Sequence, residues 1–165
     1  MIKVETSDIE ILKTLNAGDI VSISGTIYTA RDAAHKKIFA LMKDNEPLPF
    51  PLQNSFVYYT GATPAKDGEP SGSCGPTTSK RMDVYTPDML DAGLKGIIGK
   101  GARTRAVVDA IKRNGAVYFV AIGGAGAFNK SAIKSAEVIA FPELLSEAVT
   151  KLEVVWEKRY VCPHC

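Results

Sequence analysis

Apolar residues fall along this chain in short β-rich runs, separated by stretches that repeat every three to four residues. That alternation predicts an α/β domain. Ser7 is placed to cap a short helix reaching Leu15, closed by the turn Asn16-Ala17-Gly18-Asp19. Ile20, Val21, Ile23, Ile27 and Tyr28 then make a strand, and Gly25 inside it predicts a bulge or a close backbone approach. Ala34, Ile38, Leu41 and Met42 lie at i, i+4, i+7 and i+8, the apolar face of a helix from about Ala30 to Lys43, with Arg31 and Asp32 in its first turn. The proline-rich stretch 44–53 reads as loop, and 56–60 as a strand. Residues 61–76 hold four glycines and three prolines, which predicts a long loop of the kind that is usually functional or disordered.

Thr86-Pro87 starts a further helix and Gly93 stops it; 96–101 is a short strand and turn. Arg103 to Arg113 is predicted helical and ends at Asn114-Gly115. The run Ala116-Val117-Tyr118-Phe119-Val120-Ala121-Ile122 is the most apolar strand and is expected in the interior of the sheet. A helix near Lys130, a strand near Val138 and a strand at Leu152-Glu153-Val154-Val155-Trp156 complete the order, with no internal repeat.

At 165 residues the chain is long enough to bury a core as one domain. A 45% apolar fraction and a net charge of +2 give no sign of nucleic-acid or membrane binding, so any positive field must be local. No run approaches the roughly 20 apolar residues of a membrane span, and Met1 to Glu5 lack a signal-peptide core, so the expected address is the cytoplasm. Three cysteines, two of them at the extreme end, do not suggest a disulfide framework.

Two stretches concentrate cations and hydroxyls at predicted turns: Ser24-Gly25-Thr26-Ile27-Tyr28-Thr29-Ala30-Arg31-Asp32-Ala33-Ala34-His35-Lys36 and Gly75-Pro76-Thr77-Thr78-Ser79-Lys80-Arg81-Met82-Asp83. A cation in the first turn of a helix opposes the helix dipole, so Arg31 calls for an anion, either Asp32 or a ligand carboxylate. His35 follows four residues later on the same predicted face, with acid–base chemistry or support of Arg31 as its alternatives. Thr77, Thr78 and Ser79 offer hydroxyls and backbone donors ahead of Arg81, suited to an oxyanion, although a helix cap by Thr77 or Thr78 explains the same residues. Lys100 sits between Gly99 and Gly101 without the glycine spacing of a phosphate-binding loop; a solvated turn lysine is the bland alternative. Gly124 to Asn129 begins like a dinucleotide fingerprint, but Asn129 stands where Gly or Ala is needed. Cys162-Pro163-His164-Cys165 has redox-pair spacing at a chain end, where no helix can follow it, and reads as a tail.

The two long motifs, together with Ile98-Gly99-Lys100-Gly101 and Gly123-Gly124-Ala125, resemble the beta subunit of class I iron-sulfur fumarases and of the related tartrate dehydratases. The likeness runs from about Gly18 to Val155. It implies a swivelling three-layer β/β/α domain over residues 1–156, followed by a tail at 157–165. It also implies hydro-lyase chemistry on fumarate and malate, or on tartrate or another hydroxy-diacid; a non-catalytic carboxylate-binding module is the reading from a different class. By resemblance Arg31, Arg81 and Lys100 hold substrate carboxylates, and Thr77 stands beside the substrate as a candidate for proton removal. Asp32, His35 and Thr78 support them. The 4Fe-4S cluster of the family is expected on an alpha subunit, in a heterotetramer with this chain, and no metal is expected here. Lys80 stands where the family often has glycine, and the cysteine-bearing tail departs from the family's apolar ending.

Overall fold

The alternation of side chains along three short parallel strands organises the molecule. In a computed structural model of the chain, residues 1–121 and 130–161 are described, with side chains through 156. Strand β3 (Phe56–Tyr58), β4 (Gly96–Gly99) and β5 (Val117–Val120) pair in parallel. Phe56, Tyr58, Ile98 and Phe119 point to one buried core, while Val57, Tyr59, Ile97 and Tyr118 point to another. Both faces of these strands are covered, as expected where parallel strands are apolar throughout.

Strand β2 (Ile20–Thr29) pairs in parallel with β3 on one side and with β1 (Ile2–Glu5) along its N-terminal half. The long strand β7 (Val149–Val161) runs antiparallel to β2 and to β6 (Ile133–Ala140) and reaches β5 through the pair Val120 and Val161. The sheet order β1-β2-β3-β4-β5-β7-β6, with the added β2–β7 pairing, makes the sheet fold back on itself. One core lies inside that fold, where Tyr58 meets Trp156 edge to face at 5.2 Å and Phe56 stacks on Phe119 at 6.1 Å. The other core lies under the helices α1 (Asp32–Lys43), α2 (Thr86–Asp91) and α3 (Arg105–Asn114), held by Ala34, Ile38, Leu90, Val107 and Ile111. Sheet, sheet and helices are thus three layers around two cores, the α/β architecture anticipated from the pattern.

Some boundaries differ from the pattern reading. Residues 2–5 are a strand, and the predicted helix from Ser7 is a 3-10 helix, Ile9–Thr14, that follows Asp8 without a side-chain cap. Helix α1 begins at Asp32, because Ala30 still belongs to the sheet through its N–H bond to the carbonyl of Tyr58 at 3.2 Å. Arg31 therefore precedes the first turn, with extended backbone at φ −116° and ψ −164°. Helix α3 likewise begins at Arg105, which leaves Arg103 outside it and buried. Gly25, at φ 113°, is the close approach: a Cβ there would overlap the Thr6 side chain of the chain leaving β1. Strand β7 continues past Trp156 to Val161. Near Lys130, where a helix was expected, the described chain turns at 131–132 and enters β6 at Ile133; residues 122–129, with the Gly123-Gly124-Ala125 and Gly124–Asn129 motifs, and Cys162 to Cys165 lie outside the described residues.

Candidate functional site

Strands β2, β3, β4 and β5 run in parallel, so their C-terminal ends emerge on one side. In α/β sheets that is where ligands bind, since loops diverge there and expose backbone groups. Arg31 follows the end of β2 and Lys100 the end of β4. The long loop after β3 returns its own end to the same place: Thr60 Oγ1 donates to the Gly75 carbonyl at 2.7 Å and Tyr58 Oη to the Cys74 carbonyl at 2.7 Å. Thr77 N–H then donates to the Tyr59 carbonyl at 2.8 Å, and Ser79 N–H to the Lys100 carbonyl at 3.0 Å. Thr78 bridges Lys100 in parallel, so residues 77–79 extend the sheet past the strand ends. Gly99 makes this possible, because a Cβ there would overlap the Ser79 side chain.

A 3-10 helix, Ser79–Met82, carries Arg81 outward from this segment. Its guanidinium grips Asp32 with two bonds, Nε to Oδ1 at 2.9 Å and Nη2 to Oδ2 at 3.2 Å, and Nη2 also donates to Thr77 Oγ1 at 2.8 Å. That hydrogen bond from Arg81 is the main cause holding the Asp32 carboxyl below its ordinary range. Neither Thr77 nor Thr78 uses its hydroxyl as a helix cap; Thr78 stands at the cap position with no side-chain bond. The half-buried Thr77 hydroxyl instead accepts a hydrogen bond from the Arg81 guanidinium. Lys100 is exposed and forms no ion pair among the described residues.

Arg31 is half-buried against Gly61, where a Cβ would crowd its Cδ at 2.9 Å and Nη1 at 3.0 Å. Its Nη2 lies 3.8 Å from Glu147 Oε1, while Glu147 Oε2 accepts the Ala33 N–H at 3.0 Å. A protein carboxylate thus already occupies the N-terminal end of α1, in the position an anion would take. Arg31 Nε is buried with no hydrogen-bond partner among the described residues. His35 does not share a face with the Arg31 side chain; it turns inward, edge-on to Tyr59 at 5.2 Å and stacked on Tyr85 at 6.0 Å. Its Nδ1 lies 2.8 Å from the Arg31 carbonyl oxygen, which can only accept, so Nδ1 carries the proton. Burial lowers the imidazole to about 4, so the ring is neutral at pH 7 and holds the Arg31 backbone rather than exchanging protons at the surface.

The structure therefore brings Arg31, Asp32, Thr77, Thr78, Arg81 and Lys100 to one strand-end rim, with His35 beneath Arg31. Pattern reasoning missed Glu147, which no local signal links to Arg31. It also missed a buried group below the rim. Arg103 Nε donates to Asp83 Oδ1 at 2.7 Å, and its Nη2 to Thr86 Oγ1 at 2.9 Å and to Tyr59 Oη at 3.3 Å. Its guanidinium lies over the rings of Tyr118 and Tyr59, 4.9 and 5.3 Å from their centroids. The position of Arg103 just beyond Gly99-Lys100-Gly101 was the available clue, but pattern alone assigned it to the start of a helix from Arg103 to Arg113.

An iron-sulfur cluster needs several thiolates at one place. Cys74 is one buried thiol, hydrogen-bonded to the Ser71 hydroxyl at 3.3 Å and pushed up in pKa by burial, which disfavours the thiolate. Among the described residues no group of His, Cys, Asp or Glu is arranged to hold a metal ion. The described donor set does not fit such a cluster.

The three-layer α/β arrangement agrees with the fold that the motif resemblance implied. Residues 1–160 match the family described as Fumarase C-terminus, and the chain belongs to it. It is 44% identical over 139 residues to "Fumarate hydratase 2" of Leishmania major, covering 83% of this chain and 24% of that protein. It is 42% identical over 137 residues to "Fumarate hydratase class I, aerobic" of Escherichia coli, covering 81% and 25%. Over 148 residues it is 38% identical to "Putative L(+)-tartrate dehydratase subunit beta" of Methanocaldococcus jannaschii, covering 87% of this chain and 76% of that one. The chain spans about a quarter of the fumarate hydratase relatives it matches and three quarters of the tartrate dehydratase subunit.

Proposed function

We propose that this chain is the beta subunit of a hydro-lyase that interconverts fumarate and malate, and that it supplies the carboxylate-binding half of the active site. The observation that carries the reading is Arg81, held as a flat fork beside Thr77 Oγ1 at the strand ends that also bear Arg31 and Lys100. A guanidinium fork matches a carboxylate in two bonds, and an ammonium adds a point charge. Arg31, Arg81 and Lys100 bind the two carboxylates of a four-carbon diacid and hold its backbone in one orientation. Such positioning alone can lower a barrier by roughly 7–11 kcal/mol. In the dehydration direction Thr77 Oγ1, as its alkoxide, takes the proton from the carbon next to the hydroxyl-bearing one, the C–H electron pair becomes the double bond, and the substrate hydroxyl leaves as hydroxide, which picks up that proton as the released water. Arg81 Nη2–H, 2.8 Å away, stabilises the alkoxide form of that oxygen before the proton arrives. In hydration the same oxygen returns the proton to carbon.

The cluster of the family is assigned to an alpha subunit, in keeping with the single buried thiol described here. A partner also suits the apolar groove of about 530 Å³ beside Ser146, lined by Ala62, Pro64, Pro70, Val138 and Leu145. Val138 and Leu145 are 54% and 81% exposed there, large apolar side chains that a covering surface would remove from water. The chain's coverage of three quarters of the tartrate dehydratase subunit favours one second reading, a dehydratase for tartrate, which would use the same clamp. Co-expression with a cysteine-bearing alpha subunit, purification without oxygen and assay against fumarate, malate and tartrate tests both. Full activity of the alpha subunit alone would overturn the proposal.

A further inference from the structure

Two arms carry the clamp, and they meet below the surface. One is the turn after β4, with Lys100, Gly101 and Arg103; the other is the segment 77–83, with Thr77, Arg81 and Asp83. Three ties join them. Ser79 N–H donates to the Lys100 carbonyl at 3.0 Å. The Tyr118 hydroxyl donates to the Gly101 carbonyl at 2.8 Å and stands 2.9 Å from Ser79 Oγ, so it touches both arms at once. Arg103 pairs with Asp83 at 2.7 Å, and the second Asp83 oxygen accepts the Thr104 N–H at 2.7 Å.

The Arg103–Asp83 pair is out of water, its side chains 0% and 6% exposed. An ion pair in that setting recovers little more than its desolvation cost, and apolar residues of equal volume are often as stable or more so. Among the described residues Arg103 Nη1 is also buried without a hydrogen-bond partner, a condition that costs stability. What the pair supplies is directional: the fork fixes Asp83 in angle as well as distance, and Asp83 directly follows the helical turn that carries Arg81. Two tyrosine rings, Tyr118 and Tyr59, also pack against the guanidinium, 4.9 and 5.3 Å from their centroids.

From this arrangement we infer that Arg103, Asp83 and the Tyr118 hydroxyl are positioning residues that set the spacing between Lys100 and the Thr77–Arg81 arm, and hence the length of diacid the clamp accepts. The inference rests on the proposed carboxylate clamp for its functional meaning, but the joining of the arms is testable without activity. In the chain alone, amide exchange at Ser79 reads the bond to Lys100 directly. Arg103→Lys keeps the charge and loses the fork, and Tyr118→Phe loses only the hydroxyl. Ser79 exchange, referenced to the core amides of Ile97 and Phe119, is expected to rise about tenfold in the first and about threefold in the second. In the assembled enzyme the KM for fumarate should rise by similar factors in both variants. A merely structural role would speed the reference amides equally and leave the KM of the surviving sites unchanged. That result in both variants, or the failure of both to fold, overturns the inference. Faster Ser79 exchange in the two variants, combined with a wild-type complex that hydrates no diacid, would instead leave the positioning intact and refute the proposed function.

Discussion

Arg81 and Arg103 make the same contact, a guanidinium Nε on an aspartate oxygen, at 2.9 and 2.7 Å. Their surroundings make them different devices. The Arg81–Asp32 side chains are 48% and 39% exposed, and those of Arg103 and Asp83 are 0% and 6%. At the rim, water screens the pair and can replace either partner, so Arg81 can exchange Asp32 for an incoming carboxylate at small cost. Beneath the rim no such exchange is possible, because an unpaired charge would remain out of water. On the proposed reading, one arginine binds and the other holds.

The largest break in this contrast is expected from Asp83→Ala, which strands the Arg103 charge. Breaking a buried pair from one side costs about 3–5 kcal/mol, so chemical denaturation of this variant should show a loss of that order. Next comes Arg81→Ala, whose loss should appear in kcat/KM of the assembled enzyme as about 2–5 kcal/mol, with the stability of the chain nearly unchanged. Arg81→Lys should remain impaired, since an ammonium keeps the charge without the fork. If Arg81→Ala unfolds the chain instead, the rim and the interior are not distinct in the way described.

His35 sharpens the comparison through pH. Its folded value of about 4 lies below the ordinary 6.5, so as pH falls through that window the unfolded chain takes up a proton that the folded chain refuses. The neutral ring's contribution is therefore full above about pH 6.5 and is lost toward pH 4, on the order of 3 kcal/mol in all. Thermal midpoints from pH 7 to pH 4 should fall, and His35→Gln, which cannot charge, should flatten that slope. The smallest effect is expected at Asp32→Asn. An exposed pair contributes about 0–1 kcal/mol, so this variant should denature within about 1 kcal/mol of the wild type. A greater loss would mean that the Arg81–Asp32 pair is structural.

How much was legible in the chain follows the range of each interaction. The strand at Val117–Val120, the stop of α3 at Gly115 with φ 59°, and the stop of α2 near Gly93 with φ 110° rest on local periodicity and backbone sterics, and they stand close to where the pattern put them. The motifs around Arg31, Thr77, Arg81 and Lys100 were visible for the same reason, since each is a short run of residues with its own chemistry. The strand Ile2–Glu5 was not visible, because four residues carry too little pattern and become a strand only by pairing with β2. Nor was the inward turn of His35, since an imidazole four residues from Arg31 reads alike whether its face meets water or Tyr59 and Tyr85.

The order of strands and helices, and the hydroxyl- and arginine-bearing turns between them, were thus determined by neighbours along the chain. The tertiary structure decided which cations face solvent and which are enclosed. Arg81 and Arg103 both follow turns rich in small residues, and nothing local tells them apart. Their difference comes from Tyr59, Tyr118 and Thr86 closing over one of them from distant parts of the chain. Desolvation is set by everything that packs around a charge, so it exists only once the chain has folded.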